Sequence, residues 1–286
     1  MELFFDMLRS IVYGVIEGIT EWLPISSTGH MILAEQVLKF SLSAEFMEMF
    51  RVVIQLGAIL AVVVLYFKKL WPFCGDNGRD SGLAKHIRWP VMRLWFKIIV
   101  ACLPAAVLGL ALDDWIDAHF YNSVVVAVML IVYGIAFILI ERRPRVPTTT
   151  KLSRITYKQA IIVGAWQVLA LIPGTSRSGS TIIGGLLCGM SRACASQFTF
   201  FLAIPVMAGA SGLKLVKFLA KGGVFTLGEV GTLLVGCIVA FVVSILAIRF
   251  LMDYVKKHTF TVFGWYRIAL GILVLGIWAL QSFVLA

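Results

Sequence analysis

Six stretches of about 20 mostly apolar residues dominate this sequence, at about 47–67, 94–112, 122–140, 196–216, 229–250 and 263–284. About 20 helical residues are needed to cross a hydrocarbon core of about 30 Å. Hydrophobic residues make up 60% of the 286-residue chain and charged residues only 14%, which is more apolar sequence than one soluble core could bury. The sequence therefore predicts an all-α polytopic membrane protein with six transmembrane helices.

Two further apolar regions, 10–40 and 157–192, are interrupted in the middle. Each interruption contains a proline and a cluster of Ser, Thr and Gly, at 24–29 and 173–179. The halves on either side have about 12 to 16 residues, which is too short to cross a bilayer. Non-helical backbone is tolerated at this depth only where it is buried in protein or lines a wet cavity. We therefore expect two re-entrant helix–turn–helix segments whose turns are candidate functional sites.

The distribution of Lys and Arg predicts the orientation of the chain. If both hairpins enter and leave on one side, the loops 68–97, 141–158 and 249–258 share a face and carry seven, six and three basic residues. The loop 113–121 on the opposite face has no basic residue and three Asp, with a smaller basic cluster at 214–221. Because basic loops stay in the cytoplasm, both termini are expected outside, in the periplasm or extracellular space. Topology thus explains the net charge of +10, and we expect no nucleic-acid partner.

The two halves of the chain resemble each other. Residues 14–27 align with 164–176, about 150 positions later, and three predicted spans follow each interrupted segment. Because three is an odd number, the second copy would enter the membrane from the opposite face. We therefore expect one membrane domain built as an inverted repeat, with a first repeat of about 1–140 and a second of about 155–286. In such folds, broken helices from the two halves meet near the midplane and form a site.

Two acidic residues of the first interrupted segment need an explanation, because an ionisable group at bilayer depth costs roughly 2.5–3.5 kcal/mol. Glu17 and Glu21 are four residues apart and so share one helix face, where like charges repel. A bound cation or an arginine from elsewhere would make the pair favourable. The alternative, two solvated carboxylates at the water interface, is disfavoured by the apolar residues around them.

The turn after these acids carries hydroxyl groups and a histidine. Ser26, Ser27 and Thr28 either only cap the following helix or also take part in the chemistry, because the same helix N-terminus would present free N–H groups to an anion. His30 ends the cluster, either as a hydrogen-bonded packing residue or as a group that moves a proton.

The second turn, 173–181 (PGTSRSGST), has the composition of a phosphate-binding loop. Its small residues let the backbone fold around a ligand, its hydroxyls supply donors, and Arg177 supplies a fixed positive fork. It lacks the Gly-Lys-Ser/Thr sequence of a Walker loop. The alternative is that Arg177 only pairs with Glu17 or Glu21 and holds the repeats together.

Together these groups predict hydrolysis of a lipid-linked phosphate ester or anhydride. Carboxylates repel a polyanion unless a divalent cation bridges them, which predicts Mg²⁺ or Ca²⁺ at Glu17 and Glu21. Arg177 would neutralise charge on the transferred phosphoryl group, a hydroxyl or water would attack, and His30 would move the proton.

Residues 17–30 (EGITEWLPISSTGH) and 173–181 resemble the two signature motifs of the bacitracin-resistance family of bacterial undecaprenyl-diphosphate phosphatases. The similarity runs along the whole chain and includes residues 53–62 in the first span. The resemblance implies an inner-membrane enzyme with inverted repeats that removes the terminal phosphate of undecaprenyl diphosphate. This reaction regenerates the lipid carrier for peptidoglycan precursors.

The resemblance also implies roles for individual residues. Glu17 and Glu21 match the metal-binding acids of the family, Glu21 is also expected to be catalytic, and Ser27 and His30 match its proposed nucleophile or proton-transfer groups. The expected substrate-binding residues are Ser26, Thr28, Ser176, Arg177, Ser178 and Thr181, with Arg177 also catalytic. Whether Ser27, His30 or an activated water attacks is left open. We prefer Ser27 assisted by His30, because a covalent step needs an adjacent base.

The expected location is the bacterial inner (plasma) membrane, where the polyprenyl tail of the substrate can stay among the membrane lipids. We expect the site to open to the outer leaflet, because the carrier released after glycan transfer lies there. A lipid-diphosphate transporter or flippase is the alternative function, since inverted repeats with broken helices are typical of secondary transporters. A homodimer is compatible with the sequence.

Overall fold

The computed structural model describes residues 2–38, 40–75, 86–143 and 146–284, and within these ranges the chain is helical and contains no β-strand. Its helices are α1 (Glu2–Thr20), α2 (Ser27–Val37), α3 (Ala44–Val53), α4 (Gln55–Leu65), α5 (Phe67–Leu70), α6 (Trp89–Phe120), α7 (Ser123–Glu141), α8 (Tyr157–Leu169), α9 (Arg177–Leu187), α10 (Arg192–Ala220), α11 (Leu227–Lys257) and α12 (Thr261–Val284).

The described residues include six helical segments that are long and apolar enough to cross a membrane, which confirms the six predicted spans. They are Ala44–Leu65, Trp89–Leu112, Ser123–Glu141, Arg192–Ala220, Leu227–Lys257 and Thr261–Ser282. The first comprises α3 and α4, which meet at Ile54. The protein is therefore a multi-pass helical membrane protein. Residues 144 and 145 of the expected inter-repeat linker lie outside the described residues.

The two interrupted regions form the helical hairpins α1–α2 and α8–α9. Helix α1 has 19 residues and begins at Glu2, so it is longer than the sequence predicted. Near this end, the buried carboxylate of Asp6 accepts hydrogen bonds from the backbone N–H and the hydroxyl of Ser41 and so connects α1 to the segment before α3. Helices α2, α8 and α9 have 11, 13 and 11 residues, as expected for short halves. The re-entrant course of both hairpins through a membrane stays a prediction.

Each hairpin packs against a helix of the other half of the chain. Helix α1 lies along α11 and α8 lies along α6, while α7 and α12 pair with each other. Two glycines permit the close approach: a Cβ atom on Gly14 would lie 2.8 Å from the Gly236 carbonyl oxygen, and one on Gly164 would lie 2.4 Å from the Ala101 carbonyl oxygen. An inverted repeat would have reciprocal contacts of this kind, and the repeat itself stays a prediction.

Aromatic side chains of α10 form the packing surface behind the hairpins. Phe198, Phe200 and Phe201 are fully buried, and Phe200 meets the buried Trp22 ring edge-on at a centroid distance of 5.3 Å. Large apolar side chains such as Leu110 remain exposed on the outside of the bundle, where lipid would cover them. This packing places the turn after α1 against the middle of α10.

Candidate active site

Each hairpin turn contains a serine in a backbone conformation that L-residues rarely adopt. Ser26 has φ 73° and Ser176 has φ 70°, and these are the only non-glycine residues with positive φ in the described part of the chain. Each lies directly before an 11-residue helix, α2 or α9. Such a conformation costs about 1–3 kcal/mol and persists only where the surrounding structure imposes it. The two turns are therefore held in defined shapes by their neighbours.

A salt bridge connects the two turns. Nε and Nη2 of Arg177 donate to Glu21 Oε1 at 3.1 and 2.9 Å. Nη1 of Arg177 donates to the Thr199 carbonyl oxygen at 3.0 Å, and the guanidinium lies 5.9 Å from the centre of the Trp22 ring. The side chains of Arg177 and Glu21 are 11% and 9% exposed, so the pair is nearly removed from solvent. The structure thus brings the acidic segment and the second turn into direct contact, as the sequence predicted.

Glu21 also binds the candidate nucleophile. The hydroxyl of Ser27, the first residue of α2, donates to Glu21 Oε2 at 3.3 Å. One carboxylate oxygen of Glu21 therefore faces Arg177 and the other faces Ser27. A carboxylate beside a serine hydroxyl is placed to accept its proton.

His30 makes its two hydrogen bonds elsewhere. Its Nδ1 lies 2.7 Å from the Ser26 carbonyl oxygen, and because a carbonyl can only accept, Nδ1 carries a proton. Its Nε2 lies 2.7 Å from the Tyr266 hydroxyl on α12, and the two rings are nearly parallel at a centroid distance of 5.6 Å. In the neutral imidazole, Nε2 therefore accepts from Tyr266. Glu21, rather than the expected His30, is thus the group that contacts Ser27.

The N-terminus of α2 is open, whereas that of α9 is capped. Ser26 makes no side-chain capping bond, and its buried Oγ has no hydrogen-bond partner in the structure. In the second turn, Ser176 Oγ accepts from the Gly179 backbone N–H at 3.2 Å. Ser178 Oγ donates to the Leu23 carbonyl oxygen at 3.3 Å and so connects the second turn to the first. The unpartnered Ser26 hydroxyl and the uncapped N–H groups of α2 together form a place that can receive an anion.

Two of the predicted substrate-binding residues differ in their placement. Thr28 is half-buried in the first turn of α2, next to the uncapped N–H groups. Thr181 is fully buried, donates to the Arg177 carbonyl oxygen at 2.8 Å and accepts from Thr199 Oγ1 at 2.9 Å. Substrate binding by Thr181 stays a prediction, and the observed hydrogen bond from Thr199 holds α9 against α10.

Sequence reasoning did not identify Arg267 on α12, which is fully buried. Its Nη1 donates to the Pro24 carbonyl oxygen at 3.3 Å, and its Nη2 donates to the Gly174 and Thr175 carbonyl oxygens at 2.9 Å each. One side chain therefore bonds the backbone of both turns. Its signal in the sequence was an arginine within a predicted span, the kind of residue that has a function by default.

A sequence model of the family described as "Bacitracin resistance protein BacA" matches residues 10–273, a range that includes both turns and every predicted site residue. This protein belongs to the BacA family. Its relatives include three proteins named undecaprenyl-diphosphatase. The one from Enterococcus faecalis (strain ATCC 700802 / V583) is 60% identical over 96% of this chain and 99% of the relative. The one from Streptococcus gordonii is 56% identical over 98% of each chain, and the one from Desulfitobacterium hafniense is 57% identical over 94% of this chain and 95% of the relative. The resemblance that the two motifs indicated is therefore confirmed.

Glu17 and Glu21 are the residues of this BacA-family site that could hold a divalent cation. Glu17 lies one helical turn before Glu21, is 1% exposed, and its Oε1 has no hydrogen-bond partner. A buried carboxylate oxygen without a partner is costly, and hard cations such as Mg²⁺ and Ca²⁺ bind such oxygens. Among the described residues, no group of three or more His, Cys, Asp or Glu side chains is arranged to hold a metal. Two carboxylates with additional oxygens from water and a phosphate would match the usual coordination of Mg²⁺.

Proposed function

We propose that this protein is an integral-membrane phosphatase that hydrolyses undecaprenyl diphosphate to undecaprenyl phosphate and inorganic phosphate. The reaction recycles the lipid carrier of peptidoglycan synthesis and thereby confers resistance to bacitracin. The full-length similarity to proteins named undecaprenyl-diphosphatase supports this function. The observation that carries it is the contact between Arg177 and Glu21, which joins a cation, an acid and a serine hydroxyl between the two turns.

In this proposal the terminal phosphate binds at the open N-terminus of α2. The buried Ser26 hydroxyl and the N–H groups of α2 donate to its oxygens, and Thr28 and Ser176 lie at the edges of the two turns. Arg177 lies beside this position and neutralises the negative charge that develops during transfer. These donors are fixed before the substrate arrives, so little reorganisation is needed during the reaction.

Ser27 is the proposed nucleophile and Glu21 its base. Ser27 Oγ attacks the terminal phosphorus, its proton passes to Glu21, and the bond from phosphorus to the bridging oxygen breaks. Undecaprenyl phosphate leaves and takes the proton from Glu21. Water then attacks the phosphoserine and releases inorganic phosphate, which restores the Ser27 hydroxyl. Direct attack by a water molecule next to Glu21 is the alternative. Acid quenching of a reaction with substrate labelled in its terminal phosphate distinguishes the two, because only attack by Ser27 leaves labelled protein.

Glu17 and Glu21 are the residues that would hold Mg²⁺ or Ca²⁺. When bound, the ion neutralises the repulsion between these carboxylates and the diphosphate. Glu17 has its Oε1 free for this purpose, whereas Glu21 shares its oxygens with Arg177 and Ser27.

We also propose that the protein lies in the bacterial inner membrane with both termini outside, and that the site opens to the outer leaflet. The basic loops support the orientation through the positive-inside rule. Thr28→Cys, in a chain whose five native cysteines are replaced, should react with an impermeant thiol reagent added outside intact cells. Labelling from the cytoplasmic face alone would contradict the proposal.

Phosphate release by the purified protein in detergent tests the function. With a prenyl diphosphate and Mg²⁺ or Ca²⁺, the protein should release inorganic phosphate, and Arg177→Ala and Glu21→Ala should abolish the release. Arg192→Ala is the matched control, because Arg192 pairs with Glu141 away from both turns and should leave the rate unchanged. Binding of the diphosphate without release would instead support a transporter. Phosphate release at the wild-type rate by both Arg177→Ala and Glu21→Ala would place the reaction elsewhere.

A further inference from the structure

Arg267 is a buried cation that no carboxylate of the described residues balances. All of its hydrogen bonds go to backbone carbonyl oxygens: Nε to Leu130, Nη1 to Pro24, and Nη2 to Met129, Gly174 and Thr175, at 2.9–3.4 Å. Its guanidinium also lies 5.6 Å from the centre of the Tyr133 ring. A fully buried charge whose partners are only dipoles is expensive. Such a residue is retained where the charge or the geometry has a use.

The carbonyl groups that Arg267 binds come from both hairpin turns. Pro24 lies two residues before the strained Ser26, and Gly174 and Thr175 directly precede the strained Ser176. Arg267 therefore connects the two segments that must stay together for Arg177 to reach Glu21. Arg267 contacts the two turns from the side on which α7 and α12 lie.

The guanidinium of Arg267 also lies against the first turn of α9. A Cβ atom placed on Gly179 would be 3.3 Å from Arg267 Nη1. Within the site, the Glu21 carboxylate lies 2.9 Å from Arg177 and balances its charge. Glu17 is a second buried carboxylate of the site. Among the residues that the structure describes, no carboxylate contacts Arg267, and an incoming diphosphate would offset its charge.

We propose that Arg267 is a positioning residue for the diphosphate: it holds the two turns together through their carbonyl groups, and its buried charge draws the anion to them. This inference rests on the proposed phosphatase function. It assigns Arg267 a role in substrate binding and turnover, beyond a contribution to folding.

The experiment compares Arg267→Met, Arg267→Lys and the control Arg192→Met, which removes another arginine from an ion pair with a largely buried carboxylate. Two quantities are measured on folded, monodisperse protein: kcat and KM for a prenyl diphosphate, and the increase in Tm caused by inorganic diphosphate. Arg267→Met should lower kcat/KM by about 100-fold, as small displacements of catalytic groups do, and should abolish the increase in Tm. Arg267→Lys keeps the charge and part of the hydrogen bonding, and should stay within about 10-fold of the wild type in kcat/KM.

Arg192→Met should lower the Tm itself and leave kcat/KM and the response to inorganic diphosphate unchanged. If Arg267→Met keeps the kcat/KM and the diphosphate response of the wild type, Arg267 serves folding alone and the proposal is wrong. If Arg267→Lys is as impaired as Arg267→Met in both measurements, the charge has no role and the proposal is also wrong.

A milder variant covers the case in which Arg267→Met does not fold. The Cβ of Gly179→Ala would lie 3.3 Å from both Arg267 Nη1 and Ser176 Cβ, where Arg267 meets the second turn, and should lower kcat/KM about threefold to tenfold with little change in yield. Gly179→Ala protein with the kcat/KM and the diphosphate response of the wild type would contradict the proposal. The diphosphate response separates this inference from the proposed function. Wild-type protein could release no phosphate and still be stabilised by inorganic diphosphate, while Arg267→Met is not stabilised. This result would refute the phosphatase function and retain the role of Arg267 in binding.

Discussion

Removal of one partner of the salt bridge between Glu21 and Arg177 should strongly destabilise the protein as well as impair catalysis. Two N–H groups of Arg177 share one carboxylate oxygen at 2.9 and 3.1 Å, and both side chains are about nine-tenths buried. At an effective dielectric constant of 20, a separation of 2.9 Å corresponds to about 6 kcal/mol of attraction. Desolvation offsets much of this attraction, but removal of one partner leaves a buried charge unpaired and costs about 3–5 kcal/mol.

A double-mutant cycle measures this coupling. Arg177→Met and Glu21→Gln should each lower the Tm by roughly 6–20 °C, if about 2–4 °C corresponds to 1 kcal/mol. The double variant should lose at least about 2 kcal/mol less than the sum of the single losses, because neither charge then remains unpaired. Tryptophan fluorescence during heating in detergent supplies the measurement.

The pair between Lys256 and Asp253 is the matched control for this cycle. Its atoms are 2.8 Å apart, but its side chains are 60% and 77% exposed. Solvent screens such a pair, so its coupling should be much smaller than that of Glu21 and Arg177. Losses at Glu21 and Arg177 that add within about 0.5 kcal/mol would refute the argument, since they would mean that burial does not strengthen this contact.

Two further predictions follow from the turns. Tyr266→Phe removes the hydroxyl that donates to His30 Nε2 and keeps the ring. Because the proposed proton transfer runs from Ser27 to Glu21, kcat and its pH profile should stay within about twofold of the wild type, and a larger loss with a changed pH profile would show that His30 moves a proton. Ser26→Gly relieves the φ of 73° without loss of a side-chain hydrogen bond, and should raise the unfolding free energy by about 1 kcal/mol in thermal melts. Ser176→Gly also removes a helix cap, so it should raise the unfolding free energy by less than Ser26→Gly does. An equal increase in both variants would count against the role of that cap.

The sequence was sufficient for the features that depend on composition and local spacing. The six spans follow from the length of the apolar runs, and the contact between Glu21 and Arg177 was one of the two ways in which buried acids could be stabilised. The spans require only a local run of apolar residues, and the ion pair requires only that a buried acid has a partner; the structure contains both.

Other features depend on contacts between distant residues and could not be read from the sequence. A positive φ at Ser26 has no sequence signal, because glycine is the residue that normally marks it. The hydrogen bond of His30 joins residues 236 positions apart. Arg267 gave only an ambiguous signal, because an arginine near the beginning of a span is either functional or a long basic side chain that reaches towards water. In the structure it points inward instead, because the carbonyl groups of two turns replace that water.

The exchange of partners between the halves has a consequence for how the chain can be divided. Helix α1 is supported by α11 and α8 by α6, so each hairpin rests on a helix that the other half of the gene encodes. Neither half produced alone would supply that support to its own hairpin. Two halves made as separate polypeptides would have to assemble with each other before either turn could take its shape.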